Sequence, residues 1–148
     1  MIDIESFAGD RVYIDANVFI YAVEGFKKYA KLCPEILQSI EDMKIQAVTS
    51  ELTLAEVLVK PLQQEKPDVV AIYEDLIQSQ FRLDVVPISR DILVTAAKHR
   101  AITSCRLPDA IHIATAIVKN SAILLTADKS MKAPGPLRVV TLDELIES

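Results

Sequence analysis

The chain has only three glycines in 148 residues, and none falls in a G-x-G-x-x-G or P-loop pattern. Backbone cradles for nucleotide phosphates need such glycines, so a nucleotide-dependent kinase or dehydrogenase is disfavoured. The two cysteines, Cys33 and Cys105, lie far apart and form no C-x-x-C pair. Neither has a base partner at a readable spacing, which leaves nucleophilic catalysis unsupported and free thiols in a reducing compartment the expectation. Long apolar runs are missing too. The stretch 110–118, among the longest, carries His112 and Thr115 and falls well short of a bilayer span. The N-terminal MIDIESFAGD is acidic, without the basic start of a signal peptide, so the expected location is cytoplasmic and off the membrane. Finally, there is no basic excess: the net charge is −5. Nucleic-acid-binding domains are often basic, but acids gathered around a bound cation escape that rule. Net charge therefore leaves the partner open.

What is present is a globular composition, 51% hydrophobic and 25% charged. The length fits a single domain over residues 1–148 with one sizeable core. Strand patterns fall at residues 11–15, 46–49, 82–87, 122–126 and 138–140. Helical spacing covers 34–43, 53–59, 68–79, 89–100 and 108–119, and Pro61, Pro67, Pro87, Pro108 and the APGP stretch at 133–136 read as breaks. Strands alternating with helices predict an α/β fold, a three-layer α/β/α sandwich around a mostly parallel sheet of about five strands. Sites in such folds form outside the carboxyl ends of the strands.

The acids fall there. Asp15 interrupts the apolar run RVYIDANVFIYA, and a buried carboxylate without a partner is costly or takes up a proton. It can cap the following helix, as can Asn17. Glu56 lies about two turns after the strand AVTS and closes TLAE, a capping-box match headed by Thr53. Asp109 follows Pro108 in the first turn of a helix, where negative charge suits the dipole. Asp128, in TADKS, suits a turn after a strand. Each acid alone thus has an ordinary role.

Together they converge on one sheet edge. Two carboxylates 4 Å apart repel by about 4 kcal/mol at an effective dielectric of 20, so several need protons or a cation. Oxygen donors without clustered His or Cys select Mg2+ or Mn2+ over zinc. Such an ion can activate water for phosphodiester hydrolysis. Asn17, Ser50 and Thr126 can donate into this site or serve turns and caps. His112 stands three residues after Asp109, able to orient it, although packing is the simpler reading. His99 reads as a solvated helix-end residue. Arg100, Arg106, Lys129 and Lys132 are phosphate contacts or isolated surface charges.

In order and spacing, YIDANVFIYA, TSELTLAEVLVKPL (49–62), LPDAIHIATAIV (107–118) and AILLTADKSM (122–131) resemble the PIN domain, and most closely the compact VapC-type toxins of toxin–antitoxin systems. The resemblance spans almost the whole chain. It implies a Rossmann-like sandwich and an endoribonuclease dependent on Mg2+ or Mn2+. Asp15, Glu56, Asp109 and Asp128 fall on the family's acidic quartet, with Asn17, Ser50 and Thr126 at supporting positions. The last motif often reads Thr-Asn-Asp in the family, whereas Ala127 stands here in place of the amide. The resemblance further implies an RNA substrate, a homodimer and a small antitoxin partner, with 27–43 and 68–80 as the helical segments that meet partners. Alternatives are a PIN-fold nuclease for DNA or structured flaps, and a PIN-fold binding module without catalysis. A phosphoacceptor receiver fits poorly, because only one acid stands in the first motif.

Overall fold

The computed structural model describes residues 3–146. Met1 and Ile2, the start of the acidic N-terminal stretch, lie outside the described residues, as do Glu147 and Ser148. Five strands form one sheet: β1 (Arg11–Ile14), β2 (Gln46–Ser50), β3 (Leu83–Val86), β4 (Ile123–Thr126) and β5 (Arg138–Thr141). The order is β3-β2-β1-β4-β5, and every pairing is parallel. Seven helices accompany them among the described residues: α1 (Ala16–Glu24), α2 (Leu32–Glu41), α3 (Glu51–Gln63), α4 (Pro67–Leu76), α5 (Arg90–Ile102), α6 (Leu107–Val118) and α7 (Leu142–Ile146). The α/β sandwich expected from the alternating pattern is the fold observed.

Alternation along the strands sorts the core onto two faces. Val12 and Ile14 of β1, with Ala47, Val85 and Leu125, pack against α1–α4 and α7 through Phe19, Ile36, Val57, Tyr73 and Leu142. Tyr13 of β1, with Val48 and Leu124, faces the other way and packs on Ile92 and Ala96 of α5 and Ile113 of α6. Strands buried on both faces are required of a parallel sheet, and they explain the near-continuous apolar runs of β1 and β4. Tyr13, Ile14, Leu124 and Leu125 are fully buried. Each such aliphatic side chain contributes about 1.5–3 kcal/mol relative to an exposed one.

Several local expectations need correction. Pro61 is no helix break: it sits inside α3, two residues before its end. There the missing N–H costs a single helical bond, to the Val57 carbonyl, while the end carbonyls of Lys60, Pro61 and Leu62 still accept from Gln64, Lys66 and Glu65 N–H, and the ring is buried. The capping box headed by Thr53 does not form. Ser50 is the N-cap of α3, its hydroxyl accepting from Leu52 N at 3.0 Å, and Thr53 is already the third residue of the helix. The Thr53 hydroxyl pairs at 2.8 Å with that of Thr49, which donates to the Ile14 carbonyl. Pro108 takes the second helical position of α6, with Leu107 ahead of it. The segment read as 68–79 ends its helix at Leu76.

The strand order decides where a site can form. The chain moves outward from β1 through β2 to β3, then returns to the far side of β1 as β4. Between the carboxyl ends of β1 and β4 the connections leave in opposite directions, which opens the crevice that ligands use in such sheets.

Candidate active site

Asp15 stands at that crevice, immediately after β1, and is 6% exposed. It caps α1, Oδ1 accepting from Ala16 N at 2.8 Å. Its other oxygen accepts from the Thr126 hydroxyl at 2.7 Å and from Asn17 Nδ2 at 3.3 Å. Capping and site placement are therefore not rival roles, because the cap bond fixes one oxygen while the neighbouring strand end fixes the other. Asn17 also donates to the Thr126 hydroxyl and accepts from Ala127 N at 3.1 Å. Thr126 in turn accepts from Asp128 N at 3.0 Å. The main chain of Ala127 thus engages Asn17 even though its side chain has no amide.

Glu56 reaches the crevice from the second turn of α3, its side chain 35% exposed. Its Oε1 lies 2.5 Å from His112 Nε2, and the other histidine nitrogen, Nδ1, lies 2.6 Å from the Tyr13 hydroxyl. His112 is 1% exposed, and its Nε2 is 3.8 Å from Asp15 Oδ1. Ligand atoms of Asp15, Glu56 and His112 all fall within 4.8 Å of one another. Asp109, one helical turn before His112 on α6, and Asp128, after β4, line an adjoining cleft of about 420 Å³. Ser130 donates to Asp128 Oδ1 through both its N–H and its hydroxyl, closing the turn.

The electrostatics of this edge follow from crowding. Burial, opposed by the Arg106 guanidinium and reinforced by the charges of Asp15 and Asp128, holds the Asp109 carboxyl above its usual range. Burial pulls the His112 imidazole down, but the Glu56 hydrogen bond and the charges of Asp15, Glu56 and Asp109 outweigh it and leave it raised. Tyr13 is pushed far up by burial and by Asp15.

His112 is where reading the chain alone fell short. It does not orient Asp109, nor does it merely pack: its bonds go to Glu56 and Tyr13. The signal was its spacing from Asp109, which puts both on one helix face. Tyr13 carried no signal, since an aromatic in a buried strand is ordinary. Ser50 caps α3, the helix that carries Glu56. The basic residues are mostly engaged: Lys129 pairs with Asp143 at 2.6 Å, Arg106 lies 3.6 Å from Asp109, and Arg100 donates to the Cys105 carbonyl. Lys132 and His99 line the cleft beside Asp109. Cys33 and Cys105 are free thiols.

A divalent cation suits this edge. Of the three groups that face one another, Asp15 and Glu56 are carboxylates, and both nitrogens of the third, the His112 imidazole, are already hydrogen-bonded. Burial, with the charges of Asp15 and Asp128 added to it, raises the carboxyl of Asp109, and a bound cation would favour its ionised form.

Fold and site together define a parallel α/β protein with an acid-lined crevice at its switch point. The family model for the PIN domain matches residues 12–135, and the chain belongs to that family. Its structure is similar to a toxin–antitoxin complex from Klebsiella pneumoniae, with 25% identity, a TM-score of 0.63, and coverage of 88% of this chain and 96% of that one. It is also similar to VapBC2 from Rickettsia felis bound to a DNA fragment from their promoter, with 18% identity, a TM-score of 0.69 and coverage of 90% and 99%. The sarcin-ricin loop cleaving toxin VapC20 of Mycobacterium tuberculosis shares 13% identity, a TM-score of 0.64 and coverage of 76% and 86%. A comparison with curated proteins finds no match. Among the described residues, no helix is long and apolar enough to cross a membrane.

Proposed function

We propose that this protein is a divalent-cation-dependent endoribonuclease and the toxin of a toxin–antitoxin pair. The observation that carries the reading is Asp15, fixed at the switch point by donors from three residues and facing Glu56 across the crevice. Asp15, Glu56, Asp109 and Asp128 would hold Mg2+ or Mn2+. When bound, such an ion lowers the pKa of water and offsets charge developing on a phosphate. The chain's own residues set the geometry. Asn17 and Thr126 orient Asp15, Ser50 starts α3 in the direction that delivers Glu56, and the turn closed by Ser130 holds Asp128 beside Asp109. Lys132 and Arg106, at the rim of the same cleft, supply positive charge for the RNA backbone.

The whole chain acts as one PIN unit in the cytoplasm. A small antitoxin and a second copy of the chain are its protein partners. Half-exposed Val59 and Leu62 of α3 and Ile72 of α4 support this, as apolar surface that a partner would cover. The likeness to toxin–antitoxin complexes supports the antitoxin.

The test is cleavage of a mixed RNA substrate by purified protein in Mn2+, with and without EDTA. Asp15→Asn should lose at least ~10³-fold in rate, equivalent to about 4 kcal/mol of barrier, while keeping its far-UV circular dichroism. Full activity in that variant, or in EDTA, would overturn the reading. Cleavage of DNA alone would move the protein to the DNA or flap nuclease class. Absence of Mn2+ binding would favour the binding module.

A further inference from the structure

Glu56 is the one acid of the quartet carried on a long side chain from the middle of a helix. It is not used in capping, since Ser50 does that for α3. A partly exposed glutamate on a helix ordinarily samples many rotamers. Here one of its oxygens is tied down. His112 Nε2 lies 2.5 Å from Oε1, and Nδ1 lies 2.6 Å from the Tyr13 hydroxyl, which comes from the fully buried centre of β1. The carboxylate can only accept, so Nε2 carries the proton between them whether the ring is neutral or charged. The ring itself is 1% exposed and cannot swing away without breaking both bonds.

We propose that His112 is a positioning residue: anchored by Tyr13, it holds Glu56 Oε1 and so fixes the carboxylate opposite Asp15 at the crevice before any cation arrives. The separation of 2.5 Å leaves no room for an ion between Nε2 and Oε1, so the imidazole acts on the carboxylate and not as a ligand. Nε2 is farther from Asp15 Oδ1, at 3.8 Å, which fits a donor aimed at Glu56. The result is that one turn of α6 supplies both an acid of the site, Asp109, and the group that places another. This inference rests on the cation-binding reading above, and it adds to that reading a chain from the sheet interior to the acid with the longest side chain.

The experiment is calorimetric titration of the full chain with Mn2+, on the wild type, His112→Leu, Tyr13→Phe, His112→Gln, Glu56→Ala and the double variants His112→Leu/Glu56→Ala and Tyr13→Phe/Glu56→Ala. Removing a group that holds a metal's protein ligand typically weakens binding by ~10–100-fold. His112→Leu should lose about 10-fold or more, and His112→Gln, whose amide can still donate, should lose less. Each double variant should bind no more weakly than Glu56→Ala alone, because both changes act through the same carboxylate. A residue with only a packing role would lower the melting temperature and leave the Mn2+ affinity of the folded protein unchanged. That result would overturn the inference, as would additive losses. So would nitrogen coupling to His112 in the electron spin-echo spectrum of bound Mn2+. Should His112→Leu fail to fold, Tyr13→Phe, which removes a single oxygen, decides by the same criteria. A wild type that binds no Mn2+ overturns this inference together with the function proposed above; wild-type binding with unaltered variants overturns this inference alone.

Discussion

Thr126→Val is the sharpest probe of how the site is held, because it removes one hydroxyl and keeps the volume. That hydroxyl is fully buried, donates to Asp15 Oδ2 at 2.7 Å, and accepts from Asp128 N at 3.0 Å and Asn17 Nδ2 at 3.3 Å. A hydrogen bond to a charged group contributes about 1.5–3 kcal/mol, and a buried donor left unpaired costs about 1–3 kcal/mol. The Asn17 contact is long and part-buried, and Asn17 keeps its bond to Asp15, so it adds little. The bond to Asp128 N is part-buried too, so the lower half of each range applies and the sum is about 2.5–4 kcal/mol of destabilisation. For a chain of this length that lowers the melting temperature by about 5–16 °C, at roughly 2–4 °C per kcal/mol. Equilibrium urea unfolding with an unchanged m-value would measure it. Thr126→Ser is the control: it keeps the hydroxyl and should cost only about 1 kcal/mol for the lost methyl. The double variant Thr126→Val/Asn17→Ala should be less destabilised than the two single effects added together, since both residues serve one carboxylate. A Thr126→Val protein within about 0.5 kcal/mol of wild type would refute the idea that this hydroxyl fixes Asp15.

Asp143 supplies a pH prediction. Hydrogen bonds from Lys129, Lys28 and Tyr29 hold its carboxyl well below the usual range, Lys129 contributing most. A depressed folded pKa gives stability that is full above the unfolded value near 4 and is lost as pH falls toward the folded one. Wild type should therefore lose stability on acidification below about pH 5 more steeply than Asp143→Asn, in melts across pH 2–6; parallel curves would refute the coupling. Cys33 supplies another: buried beside Ile36, with burial pushing its thiol up to about 12, it should resist Ellman's reagent at pH 8 until the protein unfolds. Part-exposed Cys105 should react first, so modification of Cys33 at the rate of Cys105 in native protein would contradict the packing described.

Much of the fold was legible because apolar runs with period-two burial, separated by helical spacing, have few arrangements open to them. All five strands lie where β-rich runs stood, shifted by a residue or two at their ends. The errors share a cause. Pro61 and the TLAE match are local signals, and here tertiary contacts decided instead. Ser50 ends a buried strand and is in place to cap, so Thr53 is carried one turn inward, where its hydroxyl joins Thr49. The short helix α7 had no separate signal, because five residues show barely one turn of periodicity. Within the site, the acids stood out as charges beside apolar runs. Tyr13 did not, and His112 stood out only by its spacing from Asp109, since the distinction between a packing residue and a site residue lies in what stands opposite, across 99 residues of sequence. Lys129 was misleading for the same reason: its neighbour in sequence is Asp128, but its partner in space is Asp143.

The two roles of Asp15 illustrate why the site sits at this edge and not another. A helix N-cap needs a side-chain acceptor where a strand hands over to a helix, and that point is also where a parallel sheet exposes its carboxyl ends. At β2 a serine does the capping, and the acid is displaced to the second turn of α3. Glu56 must then span back to the crevice, which makes it the acid that needs an external hold. At β1 the cap is itself the acid, and its second oxygen is gripped by Asn17 of α1 and Thr126 at the end of β4. The contrast predicts a division of labour within one crevice: Asp15 is rigid by local geometry, whereas Glu56 is rigid only while Tyr13 and His112 hold it.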